Sequence, residues 1–258
     1  MSTENQVHDA SKFSTQHAVI TGGGSGIGRA LAETLARHGA RVTITGRRVA
    51  ALEEVSRGTP GIHAYPLDIT DRAALARVAE EIPAKFGPVD CLINNAGVQR
   101  VFDLTQPTPL DFCDLELDTN LRALFSATAA FLPHLLQQPR ATIINISSGL
   151  AFVPLAQVPV YCATKAALHS FTLSLRHQLR ETNVRVIEIA PPAVATELHD
   201  YIGLRGREIG IPVSEFVAEA WAGLAAGLDE ICVGPAKAMR DNPEEMFERV
   251  NTVKLLAE

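Results

Sequence analysis

Tyr161 and Lys165 stand four residues apart in Tyr161-Cys162-Ala163-Thr164-Lys165, at the head of a stretch to Glu181 whose apolar residues recur every three or four positions. On a helix that spacing puts both side chains on one face, about one turn apart. A free phenol has a pKa of ~10 and keeps its proton at neutral pH, and a neighbouring ammonium favours phenolate and lowers that value. The pair is therefore expected to give and take a proton at a reacting oxygen, as a general acid/base does.

A second signal is Thr21-Gly22-Gly23-Gly24-Ser25-Gly26-Ile27-Gly28, which follows a short apolar run and opens a helical pattern. Glycine permits a tight turn and lets the backbone approach a pyrophosphate, whose charge the free N–H groups and dipole of a helix start attract. Gly22, Gly26 and Gly28 are spaced GxxxGxG, where the common dinucleotide fingerprint is GxGxxG. Leu31 stands where the last glycine of a pattern begun at Gly26 would be.

These residues need a scaffold, and periodicity predicts one. Seven β-branched runs read as strands: His17 to Thr21, Arg41 to Thr45, His63 to Leu67, Cys91 to Asn94, Thr142 to Ile146, Val184 to Ile189 and Ile231 to Val233. Between them, Ile27 to His38, Asp71 to Phe86, Pro109 to Gln137, Tyr161 to Glu181 and Ser214 to Leu228 read as helices. Such alternation implies right-handed crossovers and an α/β fold: a doubly wound, mostly parallel seven-stranded sheet with helices on both faces, Rossmann-like. Sheets of this kind bind ligands at the carboxyl ends of their strands. With 258 residues, 47% of them hydrophobic, a single domain over 13–258 after a disordered polar tail at 1–12 is expected.

The glycine spacing resembles the short-chain dehydrogenase/reductase family, and further residues match its pattern in order. Asn94-Asn95-Ala96-Gly97 follows the fourth strand, Asn120 lies in the next helix, Ser148 follows the fifth strand, and Tyr161 to Lys165 supplies YxxxK. The match runs from about His17 to Val233. It implies catalysis by Asn120, Ser148, Tyr161 and Lys165. Ser148 would hydrogen-bond the reacting oxygen, Lys165 would also hold the nicotinamide ribose, and Asn120 would hold a water that links the lysine to solvent. The dinucleotide would be bound by Gly22, Ser25, Gly26, Ile27 and Gly28, by Asp68 and Ile69 near its adenine, and by Asn95, Ala96 and Gly97. Tyr161, Lys165, Pro191 and Thr196 would hold its nicotinamide end. Pro191-Pro192 departs from the usual Pro-Gly and puts the local backbone path in question.

The second strand ends in Thr45-Gly46-Arg47-Arg48, without the carboxylate that holds the ribose diol of NAD(H). Guanidinium groups at Arg47 and Arg48 suit a 2′-phosphate, so NADP(H) is favoured over NAD(H). Asp68 is read both as an adenine contact and as a cap for the following helix.

The substrate is expected to be a small carbonyl compound or alcohol. Val98 to Gln106, Gly149 to Pro159 and Glu197 to Pro212 are candidate walls, the last implied by the resemblance to be a mobile lid. Val153, Leu155 and Val158 suggest an apolar side, and Gln157, His199, Tyr201 and Arg205 are polar candidates.

A net charge of −6 argues against a nucleic-acid surface. No apolar run reaches the ~18 residues of a membrane span, and the polar start suggests no signal peptide. The four scattered cysteines read as reduced thiols of a cytoplasmic protein, and the eight dispersed histidines show no metal spacing. The alternative reading is a non-catalytic dinucleotide sensor of the same fold. An epimerase or dehydratase with bound NAD fits less well, since such relatives are longer. By resemblance, a homodimer or homotetramer built on the two helices after the fourth and fifth strands is expected.

Overall fold

The apolar runs form parallel strands: β1 (His17–Thr21), β2 (Arg41–Gly46), β3 (Ile62–Pro66), β4 (Cys91–Asn94), β5 (Ala141–Ile146), β6 (Val184–Ala190) and β7 (Glu230–Cys232). The central ones are covered on both faces and the edge strands β3 and β7 only in part. Every residue of β1, β4 and β5 is buried, which explains their continuous rather than alternating hydrophobicity. The computed structural model describes residues 13–106, 110–202 and 209–252. The tail at 1–12 lies outside these, as does Arg205.

Neighbouring strands all pair in parallel, in the order β3-β2-β1-β4-β5-β6-β7. The sheet is thus wholly parallel and doubly wound. One face packs Ile20, Ile44, Ile144 and Ile187 against α1 (Gly26–Arg37), α2 (Val49–Gly58) and α7 (Val213–Ala225). On the other, Val19, Leu92, Ile143 and Val186 pack under α3 (Arg72–Phe86), α5 (Ala123–Leu136) and α6 (Pro159–Leu179). The order reverses between β1 and β4, so their following loops part and leave a crevice at the strands' carboxyl ends.

Three expectations about helices change. The stretch from Pro109 to Gln137 is not one helix: α4 (Leu110–Leu117) and α5 are joined by a π-helical turn, Asp118–Arg122, which carries Asn120. An inserted residue of this kind widens the helix and often marks a functional site. The helix α2 was not expected, because only Leu52 and Val55 of its ten residues are buried and its apolar stripe is short. No helix was expected after Leu228, but two form there, α8 (Pro235–Asp241) and α9 (Pro243–Asn251), each opened by a proline in its first turn, where no N–H is needed. Among the described residues, no helix is long and apolar enough to cross a membrane.

Candidate active site

One cavity of about 600 Å³ opens along the carboxyl ends of the strands. At one end lies the glycine turn. Gly22 has φ +68°, and a Cβ there would come 2.9 Å from Ala96 Cα, so the chain needs glycine to bring β1 against the loop after β4. A Cβ at Gly28 would sit 2.4 Å from the Gly22 carbonyl oxygen. Asn95 fixes this approach by donating from its side-chain amide to the carbonyls of Thr21, at 2.9 Å, and Gly22, at 3.2 Å. The N-terminus of α1 has no side-chain cap and no acidic residue in its first turn, and Gly26, Ile27 and Gly28 line the cavity, with the Glu197 carboxylate 3.7 Å from where a Cβ on Gly26 would lie. The cradle fits a pyrophosphate.

Beyond the end of β2, Arg47 and Arg48 line the same cavity, and Arg48 donates a hydrogen bond back to the Ser25 hydroxyl. Asp68 does not cap α3. Asp71 does, accepting from Ala74 N–H at 2.9 Å, while Asp68 accepts from the Thr70 N–H and hydroxyl. Burial works against its charge, but those two bonds and the Arg47 guanidinium hold the Asp68 carboxyl below its usual range. Asp68 and Ile69 line the cavity, as do Ala96 and Gly97.

At the other end, β5 runs into Ser148, whose hydroxyl accepts from Leu150 N–H at 3.1 Å and lies close enough to the buried Tyr161 hydroxyl to favour its ionised form. Lys165, one turn along α6, donates to the Ile146 carbonyl at 2.9 Å, and its Nζ lies 5.6 Å from the Tyr161 ring centre. Asn120 lies behind this pair: its amide bonds both backbone groups of Val98 at 2.8 Å and the Thr164 hydroxyl at 3.3 Å. A Cβ on Gly97 would lie 3.4 Å from Asn120 Oδ1 and 3.9 Å from Lys165 Nζ, so the bare glycine keeps open the space between them.

The expected phenolate is corrected. Burial raises the Tyr161 pKa and outweighs the Ser148 hydrogen bond that lowers it, while burial lowers Lys165 to about 8. Desolvation disfavours the charged form of each, so the ammonium does not by itself make tyrosinate. What the pair holds is a buried, protonated phenol.

Pro191 closes the floor by accepting from Gly149 N–H at 2.7 Å. Among the described residues, positive φ is confined to glycines, so Pro192 fits where relatives carry glycine without demanding glycine's backbone freedom. Thr196 rests on the phosphate turn, since a Cβ on Gly26 would lie 3.2 Å from its side chain. Of the expected apolar wall only Leu155 lines the cavity: Val153 and Val158 are wholly buried, and Gln157 is not part of the lining.

The family model for short chain dehydrogenase matches residues 16–204. The chain belongs to the short-chain dehydrogenase family. It is 42% identical over 250 residues to the uncharacterized oxidoreductase DltE of Bacillus subtilis, covering 93% of this chain and 98% of that protein. Its fold is similar to the closed form of serine dehydrogenase complexed with NADP+, with TM-score 0.77 and 28% identity over 84% of this chain and 94% of that one. A 3-ketoacyl-(acyl-carrier-protein) reductase from Brucella melitensis complexed with NADH is also similar, with TM-score 0.74 and 29% identity over 84% and 96% of the two chains.

Two buried carboxylates of this short-chain dehydrogenase escaped sequence reasoning. Glu116 is wholly buried one turn before Asn120; one oxygen accepts from Arg100 N–H at 2.7 Å and the other has no partner among the described residues. Burial pushes its carboxyl up to about 7. The signal was available, since Glu116 and Asn120 are four apart on a helix and so share a face. Glu188 on β6 is also wholly buried, pairs with His169 at 2.8 Å, and its negative charge supports the Lys165 ammonium. Glu230 joins this cluster, where it pairs with Arg240 at 2.8 Å. These three are far apart in sequence, and no spacing rule links them.

Proposed function

We propose that this protein is an NADP(H)-dependent dehydrogenase/reductase that moves a hydride between nicotinamide and the carbonyl or secondary alcohol of a small molecule. The observation that carries the reading is that Ser148, Tyr161 and, one turn along, Lys165 line the same cavity as an uncapped helix start and its glycine cradle. Gly22, Ser25, Gly26, Ile27 and Gly28 would hold the pyrophosphate, Asp68 and Ile69 the adenine side, and Asn95 to Gly97, Pro191 and Thr196 the nicotinamide half. When bound, the nicotinamide supplies or accepts the hydride.

The residues of the chain do the rest. Tyr161 donates a proton to the substrate oxygen in reduction and removes the hydroxyl proton in oxidation. Ser148 donates to the same oxygen as charge builds on it. Lys165 binds the ribose, and the gap beside Gly97 lets a water pass protons between Lys165 and Asn120 toward solvent. NADP(H) preference rests on Arg47 and Arg48 at the ribose end, where no carboxylate ends β2. Serine dehydrogenase, with NADP+ bound, is consistent with it.

A cytoplasmic homo-oligomer is part of the proposal. Phe112, Phe125, Leu136 and Leu173, on α4, α5 and α6, are exposed large apolar groups suited to a second copy. Sedimentation at micromolar concentration tests this, and a monomer mass would refute it.

The test of function is initial-rate oxidation of NADPH and NADH with a ketone and aldehyde panel, run beside Tyr161→Phe. The expected result is turnover that prefers NADPH and falls roughly 100- to 10,000-fold in the variant. Tight dinucleotide binding with no turnover in either direction would favour the non-catalytic sensor.

A further inference from the structure

Resting on that reading, we infer that the substrate is a hydroxy acid or its oxo acid, and that Arg100 binds its carboxylate. Arg100 lies in the loop after β4 and lines the same cavity as Ser148, Tyr161 and Leu155. Its guanidinium donates to the Gln99 carbonyl at 2.7 Å and has no carboxylate partner in an ion pair among the described residues. A guanidinium offers five N–H donors in a planar fork that matches a carboxylate with two parallel bonds.

The group is held in place, which separates it from a solvated surface arginine. The Arg100 guanidinium carbon lies over the Tyr201 ring, 5.7 Å from its centre, within cation–π range. Tyr201 in turn donates from its hydroxyl to Gln99 Oε1 at 2.7 Å. The Arg100 backbone N–H donates to the buried Glu116 carboxyl. The loop after β4 and the segment Glu197–Ile202 thus meet at the cation, and α4 holds its backbone. An arginine held on an aromatic platform loses less freedom on binding than a mobile lysine would.

His199 also lines the cavity. A substrate with polar groups at both ends fits this wall, with its reacting oxygen at Ser148 and Tyr161 and its carboxylate at Arg100.

The experiment compares each of lactate, 3-hydroxypropanoate and 3-hydroxybutanoate with its methyl ester, as substrates with NADP+ and as ligands titrated calorimetrically into the NADP+-loaded protein. Wild type is expected to favour at least one acid over its ester by 10-fold or more in kcat/KM. Arg100→Gln is expected to cut that ratio at least 10-fold through KM rather than kcat, and Arg100→Lys to recover part of it. Retained NADP+ binding shows that the variants fold. Equal use of acid and ester, or an unchanged ratio in Arg100→Gln, overturns the assignment of Arg100 while leaving the dehydrogenase reading intact. Arg100-dependent binding of an acid without any turnover supports the acid site and counts against the catalytic reading. Absence of both binding and turnover of every acid, with neutral alcohols oxidised, overturns the acid class alone.

Discussion

Asn120 and Val98 exchange two hydrogen bonds of 2.8 Å, side-chain amide to backbone N–H and carbonyl, across the gap between the π-helical turn and the loop after β4. The widened turn is what brings the amide to that backbone. Asn120→Ala leaves both Val98 groups unpaired and is expected to cost roughly 2–3 kcal/mol in urea unfolding. Turnover is expected to fall further than stability explains, because the Val98 loop continues into Gln99 and Arg100. Wild-type stability in the variant would refute the structural half of this role.

Glu116 is a carboxyl whose folded pKa, about 7, exceeds its ordinary 4.5 because it is buried. A raised carboxyl binds its proton more tightly in the native state, so the stability this gives is complete below about pH 4.5 and is lost as pH rises through 7. Glu116→Gln keeps an acceptor for Arg100 N–H but cannot ionise. Relative to wild type it should gain roughly 2–3 kcal/mol between pH 5 and pH 8, read from urea midpoints. Parallel pH curves for the two proteins would show that the carboxyl ionises freely.

Lys165 runs the other way. Burial lowers it from 10.5 to about 8 although Glu188 opposes the shift, so below pH 8 the native state carries the cost of a desolvated ammonium. That cost is full below about pH 8 and fades as pH rises toward the unfolded value. Lys165→Met is therefore expected to be more stable than wild type at pH 7, by about 2 kcal/mol after loss of the Ile146 bond, and to have lost turnover. A lower melting temperature at pH 7 would contradict this. Stability given up for a buried charge at a reacting centre is a familiar trade.

Arg47 is expected to contribute one charge-assisted bond to a 2′-phosphate, about 2 kcal/mol. Arg47→Ala should lower kcat/KM for NADPH about 30-fold and change NADH little. A loss equal for both cofactors would assign Arg47 to general structure.

The strands, the order of the motifs and the glycine turn were legible in the chain because each is local. Strand burial shows as apolar runs, the turn as glycines before a helix, and the closeness of Tyr161 and Lys165 as a four-residue spacing. Boundaries fell within a residue or so of those observed, as at Cys91–Asn94. What sequence missed depends on where distant segments meet. The π turn at Asn120 looks apolar-periodic like any helix, and α2 buries too few residues to read. Only packing made Tyr161 a phenol with a raised pKa, since desolvation is set by its neighbours and not by Lys165 alone. Only packing, too, set Arg100 on Tyr201, residues 101 positions apart whose contact exists because a parallel sheet gathers its loops at one edge. The chain by itself determined the chemistry it carries; the tertiary structure decided which charges that chemistry feels.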